Sequence, residues 1–277
     1  MNPFTVGSLA VWKHSIESPK ARLLLIHGLS EHSGRHCHTI EFLVKSGIEV
    51  IRFDLRGSGE SGGKRQWIES FQDYVEDTIT VFNWVHRELP NLPLFVLGHS
   101  LGGSIAIQFA ASYHSLLKGL ILSAPAYLVG SGVSPIKIKV GQMLVKVMPN
   151  LRLPKSTAFE GISRDKLAVE RYANDPFCCH FNTLKQGDEI LKTLPILPKY
   201  VQKIKSPTLI VHGSADPIIR IEGSYEILRS LSSKNKELFI APHCLHELHN
   251  ELEEDRANYF RHLGMWLEKQ MSVKRSL

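Results

Sequence analysis

Leu94-Phe95-Val96-Leu97-Gly98-His99-Ser100-Leu101-Gly102-Gly103 is the stretch that decides the fold. The run Leu94 to Gly98 reads as a short strand buried on both faces, and Leu101 to Tyr113 carries helical periodicity. Gly98-His99-Ser100-Leu101-Gly102 is therefore a G-x-S-x-G set between a strand and a helix, the context of a nucleophile elbow. A serine projecting its hydroxyl from so tight a turn adopts a strained backbone, and the residues two before and two after it must lack bulk; both are glycine. Gly103 and Ala106 continue the small face and let the helix pack close to a sheet. Without its flanking strand and helix the pentapeptide would mean little, since composition alone produces it in many chains.

Working outward, Ala21 to His27, Val50 to Asp54 and Leu120 to Ser123 read as further buried strands, each ended by glycine or polar residues. His38 to Ser46 and Phe71 to Leu89 have helical lengths and spacing. This alternation predicts parallel βαβ units and a doubly wound α/β sheet. From about Ala126 to Val201 the rhythm changes to helical patches interrupted by Pro135, Pro149, Pro154, Pro176, Pro195 and Pro198, with no clear strand. Strand patterns return at Thr208 to Val211 and Glu237 to Ile240, with a helix at about Glu222 to Leu231 and a last one at Asp255 to Lys269. The expected organisation is a core of residues 1–125 and 202–277 and a helical insertion of residues 126–201 acting as a lid over the C-terminal strand ends.

With 277 residues, 43% hydrophobic and 22% charged, the chain has the composition of a globular protein with a substantial core. The opening MNPFTVGSLAVWKH has neither the basic start nor the apolar run of a secretory signal, and no apolar stretch approaches the roughly 18 to 20 residues of a membrane span. A cytoplasmic location is expected. Cys37, Cys178, Cys179 and Cys244 are too few and too irregular for a disulfide framework and form no zinc-binding C-x-x-C; reduced thiols are expected. The net charge is +6, and Lys137, Lys139, Lys146, Arg152 and Lys155 fall in an acid-free stretch from Ser131 to Lys155, interleaved with apolar residues. That pattern suits an amphipathic element at an anionic membrane, or a solvated basic face over a packed helix; it lacks the aromatics and motifs of a nucleic-acid surface.

A serine hydroxyl needs a base, and the base needs an orienting carboxylate. Val211-His212-Gly213-Ser214-Ala215-Asp216-Pro217 supplies Asp216 just past a strand, and Ile240-Ala241-Pro242-His243-Cys244-Leu245-His246-Glu247 supplies histidines just past the last strand. His243, His246 and His249 compete for the role of base. A metal site from the three is disfavoured, because His-Glu-Leu-His is one residue short of H-E-x-x-H. Asp54 also follows a strand and rivals Asp216, but no third member accompanies it.

The motifs together resemble the monoacylglycerol lipase and lysophospholipase branch of the serine α/β-hydrolases. The resemblance runs through His27-Gly28-Leu29-Ser30-Glu31-His32-Ser33-Gly34-Arg35, Asp54-Leu55-Arg56-Gly57-Ser58-Gly59-Glu60-Ser61, Gly98 to Gly103, His212 to Asp216 and His246-Glu247-Leu248-His249-Asn250-Glu251. It implies an α/β-hydrolase fold with a cap, Ser100 as nucleophile, Asp216 as orienting acid and His246 as base, with no cofactor and no metal. It also implies an oxyanion hole from the backbone N–H groups of Leu29 and Leu101. Glu31, His32, Arg35, Asp54 and Arg56 read as loop ties. Ile219 stands where some animal relatives carry a cysteine.

The expected activity is hydrolysis of carboxylic esters, monoacylglycerols first, with lysophospholipids or short-chain esters as alternatives and an inactive binding module as the non-enzyme alternative. Peptide substrates are disfavoured because the insertion shows no acidic cluster to hold an ammonium group. Ile136, Val140, Met143, Leu144 and Val147 are expected to form the apolar wall that holds an acyl chain, and the basic exterior of the insertion to associate with anionic membrane.

Overall fold

A computed structural model describes residues 2–89, 91–128, 135–154 and 160–273, with residues 135–138 as backbone only. In chain order the elements are β1 (Phe4–Val6), β2 (Leu9–His14), β3 (Ala21–Ile26), α1 (Cys37–Lys45), β4 (Ile48–Phe53), α2 (Gln72–Glu88), β5 (Leu94–His99), α3 (Leu101–Tyr113) and β6 (Gly119–Ser123). Then follow α4 (Pro135–Leu144), β7 (Arg152–Pro154), α5 (Lys166–Asn174), β8 (Phe181–Thr183), α6 (Leu184–Thr193) and α7 (Leu197–Val201). The chain closes with β9 (Thr208–Gly213), α8 (Ile221–Ser230), β10 (Lys236–Ala241) and α9 (Glu253–Ser272).

Eight strands form one sheet in the order β1-β2-β4-β3-β5-β6-β9-β10. The six from β4 to β10 pair in parallel, and β2 and β1 extend one edge antiparallel. Successive strand residues point to opposite faces, so each run of apolar residues supplies two cores. Leu24, Ile26, Ile51, Phe53 and Val96 pack on one face with Phe82 of α2 and Ile105 and Phe109 of α3. Leu23, Leu25, Val50, Phe95 and Leu97 pack on the other with Leu43 of α1 and Tyr259, Leu263 and Trp266 of α9.

Three features depart from the sequence expectation. β1 and β2 form an N-terminal hairpin that period-two patterning did not reveal, turning at Gly7 with φ 63°, and the Arg52 guanidinium of β4 lies 3.8 Å from the Trp12 ring centroid. The insertion contains a strand pair, β7 with β8, each three residues long and so too short to carry an alternation. α9 begins two residues early and ends three late; Glu253, Glu254 and Asp255 in its first turn favour the positive end of the helix dipole. In addition, Leu197 and Val201 of α7 are fully buried in the core that includes α3, so α7 packs with the sheet. Among the described residues, no helix is long and apolar enough to cross a membrane.

Candidate active site

The site is built at the C-terminal ends of the parallel strands. Ser100 sits between β5 and α3 with φ 53° and ψ −117°, a region a non-glycine residue adopts only under constraint. The constraint is visible: its N–H donates to Ser123 O at 2.9 Å, and its carbonyl accepts from Gly103 N and Ala126 N, both at 2.9 Å. A Cβ at Gly102 would overlap the Ile26 and His27 carbonyls, and one at Gly103 would lie 2.7 Å from the Pro125 Cβ. The helix therefore approaches the sheet as closely as only glycine permits.

His246, in the loop after β10, holds its Nδ1 2.7 Å from Asp216 Oδ2. Nδ1–H donates, which leaves Nε2 as the ring's proton acceptor. Asp216 follows β9 at a turn whose backbone satisfies its other oxygen: Ile218 N and Ile219 N donate to Oδ1 at 2.8 and 3.0 Å. His212 adds a further donor that the sequence reading overlooked. Its Nε2 lies 3.2 Å from Asp216 Oδ2 and 3.1 Å from Ile219 O, while Nδ1 accepts from Ser224 Oγ at 2.7 Å. Burial alone would raise the Asp216 carboxyl, but His246 and His212 outweigh it and hold the group well below the ordinary carboxylate range. Burial alone would lower the His246 pKa; the Asp216 carboxylate more than offsets this and leaves it above the ordinary imidazole value.

The loop after β3 carries Leu29. His27 anchors its start, its Nε2 accepting from Leu55 N at 2.9 Å and its Nδ1 donating to Gly28 O at 2.8 Å. Gly28 N–H is already engaged by Glu31 Oε1 at 2.5 Å. Of the backbone donors in this loop, Gly28 is thus turned to its own carboxylate. Leu101 opens α3, where the first N–H groups of a helix have no intrahelical acceptor. Leu29 and Leu101 both line the cavity in which Ser100 lies.

Beneath the cavity is a buried ionic tie. Arg35 donates to Glu31 Oε2 through Nε at 3.2 Å and to Glu247 Oε2 through a terminal nitrogen at 2.5 Å, and its guanidinium lies 4.4 Å from the Tyr172 ring centroid on α5. Glu31 also meets His36 Nε2 at 3.2 Å. Burial would raise the Glu31 carboxyl, but His36, His99 and Arg35 bring it well below its ordinary value. His99 and His249 are neutral, each held well below the ordinary imidazole value chiefly by burial and further by neighbouring imidazoles.

The cavity has a volume of about 190 Å³ and is lined by Ser100 and His246 with the apolar side chains of Leu29, Ile162, Tyr172, Ile190, Ile218 and Ile219 among others. This corrects the expected acyl wall. Val140, Met143, Leu144 and Val147 are exposed, Met143 to 73% and Val147 to 79%, and none lines the cavity. Val140, Met143 and Leu144 of α4 and Val147 just beyond it face outward, while single isoleucines from the segment before α5 and from α6 line the cavity. The Ile136 side chain lies outside the described residues.

The other candidates have different employment. Asp54 Oδ1 accepts from Ser33 N and Ser33 Oγ, and Oδ2 accepts from Glu60 N, so this carboxylate ties loops together. His243 is exposed, and His249 stacks on His36 with ring centroids 4.3 Å apart. Among the described residues, the group whose ligand atoms converge is His32, Asp175 and Cys178. There, Gly34 N–H donates to His32 Nδ1 at 3.2 Å, so Nε2 carries the proton given to Asp175 at 2.9 Å, and the pair ties the loop after β3 to the segment after α5. Burial pushes the Cys178 thiol up, and that of Cys244 up to about 12, which makes both poor nucleophiles.

With this geometry in view, the family model described as serine aminopeptidase, S33, matches residues 17–253. The chain belongs to this family of serine α/β-hydrolases and is a carboxylic ester hydrolase. It is 33% identical over 248 residues to the monoacylglycerol lipase of Mycolicibacterium smegmatis, covering 88% of this chain and 87% of that one. It is 32% identical over 266 residues to the human monoglyceride lipase, covering 95% and 86%. The crystal structure of Paleococcus ferrophilus monoacylglycerol lipase superposes with a TM-score of 0.84 at 28% identity, over 95% of this chain and 99% of that one.

Proposed function

We propose that the chain hydrolyses monoacylglycerols to glycerol and fatty acid, with Ser100 as nucleophile, His246 as general base and acid, and Asp216 as orienting carboxylate. The observation that carries this reading is one cavity lined by both Ser100 and His246, with His246 Nδ1 bonded to Asp216 at 2.7 Å. Ser100 Oγ attacks the ester carbonyl carbon as its proton passes to His246 Nε2, and the oxyanion is stabilised by the N–H groups of Leu29 and Leu101. The alcohol leaves with the proton from His246, forming an acyl-enzyme. Water then gives a proton to His246 and attacks the acyl carbon; the fatty acid departs and Ser100 regains its proton.

Residues 126–201 act as the cap in this reading. The apolar lining favours an acyl chain over a peptide: the lining carboxylates, Glu31 and Glu247, are both paired with Arg35 and offer nothing to a substrate ammonium. Val140, Met143, Val147 and Met148, exposed beside Lys139, Lys146 and Arg152, suit docking on an anionic bilayer. A lysophospholipid or short-chain ester would use the same three residues.

Three measurements test the reading. A fluorophosphonate probe should label the parent and not Ser100→Ala; labelling that persists in the variant defeats the nucleophile. A turnover panel of monoacylglycerols, lysophospholipids, triacylglycerols and short aryl esters should favour monoacylglycerols. Fastest turnover of acetyl or butyryl aryl esters with monoacylglycerols ignored would remove the lipase reading and keep the triad. Co-sedimentation with vesicles should strengthen with anionic lipid content and weaken with salt; insensitivity to both refutes the docking face.

A further inference from the structure

We infer that the root of the insertion, Ile162-Ser163-Arg164, together with Glu251 positions the loop that carries His246. The inference rests on the reading of His246 as base and goes beyond it, because it makes the alignment of the base depend on the insertion.

The two peptide N–H groups flanking His246 are both held from this side. Glu247 N–H donates to Ile162 O at 2.7 Å. Leu245 N–H donates to Glu251 Oε1 at 2.6 Å. Glu251 is fully buried, so its carboxylate requires a charged partner, and Arg164 is that partner: Nε donates to Glu251 Oε2 at 3.1 Å and the backbone N–H reaches the same oxygen at 3.4 Å. The Arg164 guanidinium also pairs with Asp255 at the start of α9. Between these bonds, Ser163 Oγ donates to Asn250 O at 2.7 Å and accepts from Asp165 N at 2.9 Å. Three consecutive residues of the insertion root thus bond to the segment 247–251, and His246 lies between the two clamped peptides.

The consequence follows from the geometry. A displacement of the insertion at 162–164 withdraws the acceptor of Glu247 N–H and the cation that holds Glu251, and with it the anchor of Leu245. The base is then aligned against Ser100 and Asp216 when the insertion root is seated. Misplacement of a catalytic group by about 1 Å is enough to cost on the order of 10²-fold in rate. Arg164 and Glu251 act here as positioning residues, through the loop and not on the substrate.

The test uses the full chain with Arg164→Ala and with the isosteric Glu251→Gln, the second guarding against simple misfolding of the first. A soluble short aryl ester is the substrate, so that membrane docking plays no part. Each variant should lose about 10- to 100-fold in kcat with KM within about threefold. In NMR spectra, the downfield resonance of the His246 Nδ1 proton, present in the parent and absent from Asp216→Ala, should shift or broaden in both variants while thermal unfolding stays cooperative. A kcat within twofold of the parent and an unmoved proton resonance overturn the inference, as does a rise in KM alone. Failure of the parent to react with a fluorophosphonate overturns the assignment of nucleophile and base instead, and this inference with it.

Discussion

Arg35→Ala tests whether the ion pair beneath the cavity holds the site together. Arg35 is 8% exposed and bridges Glu31 on the Leu29 loop to Glu247 beside His246, with Tyr172 of α5 over its guanidinium. Removing one partner of a buried pair costs about 3–5 kcal/mol because the surviving charges stay buried. Two circumstances place this case toward the lower end. Glu31 keeps Gly28 N–H and His36, and Glu247 keeps Asn250 Nδ2 at 2.7 Å. Losing the stack on Tyr172 adds roughly 1 kcal/mol. The expected loss is about 4 kcal/mol, or roughly 8–16 °C in Tm at 2–4 °C per kcal/mol for a large domain.

Urea unfolding at constant m measures it. The pH dependence is diagnostic. The Glu31 carboxyl is depressed in the folded protein, so its contribution is present above the ordinary glutamate value of 4.5 and is lost as pH falls through the folded value. Without Arg35 the carboxyl protonates more readily, and the gap between variant and parent should narrow as pH falls below the ordinary glutamate value toward the parent's depressed one. A loss under about 1 kcal/mol at pH 7, or a gap that widens as pH falls below 4.5, refutes the argument.

Four further outcomes are expected. Asp216→Asn should lower kcat by roughly 10⁴-fold, the size of effect seen when an orienting carboxylate is removed from a serine–histidine pair, with near-parent KM in steady-state assays. In the parent, kcat/KM should fall as pH drops through a value above 6.5, because Asp216 raises the His246 pKa and the base must be neutral; a pH profile with its acid limb below 6.5 contradicts this. Gly102→Ala should give insoluble or strongly destabilised protein, since the new methyl meets the Ile26 carbonyl; a soluble variant with Tm within about 2 °C of the parent would show that the helix can retreat from the sheet. An apolar cavity of 150 Å³ accommodates a benzene-sized ligand, so the 190 Å³ here limits the chain that fits without rearrangement; Ile190→Ala should raise relative kcat/KM for longer acyl chains in a homologous ester series, and an unchanged profile counts against the lining.

Legibility from sequence followed the range of the interactions involved. Ser100 stands out because its strained turn, its two glycines and its flanking strand and helix are contiguous, and Asp216 because it directly follows a strand. The two come to one site with His246 because parallel strands present all their C-terminal ends on one edge of the sheet. The α4 face failed for the opposite reason. Val140, Met143, Leu144 and Val147 have the spacing of a buried stripe, but spacing does not say whether the stripe meets a pocket or an interface; the packing partners of α4 decide that. Ile162, Tyr172 and Ile190, which line the cavity from the stretch between β6 and β9, are single positions in segments with no common pattern, brought together only by tertiary structure. His212 was visible in the His-Gly-Ser-Ala-Asp stretch, but its contact with Asp216 depends on a turn that bends the chain back on itself. The β1–β2 hairpin escaped because β1 has only three residues and the first four of β2 are all buried, so neither shows alternation.

Ile218 and Ile219 serve two masters. Their amides fix Asp216 and their side chains form part of the cavity wall, so any change that reshapes this wall also disturbs the acid. Ile190 lines the same cavity from α6, and Asp216 takes its bonds from Ile218, Ile219, His212 and His246 instead. Substrate range can therefore diversify more freely at one position than at others: a library directed at position 190 should yield active enzymes with altered preference, whereas one directed at 218 and 219 should yield mostly inactive ones. The same asymmetry offers a rule for comparing relatives, in which differences in diet should track the cap-side positions and leave the acid turn alone.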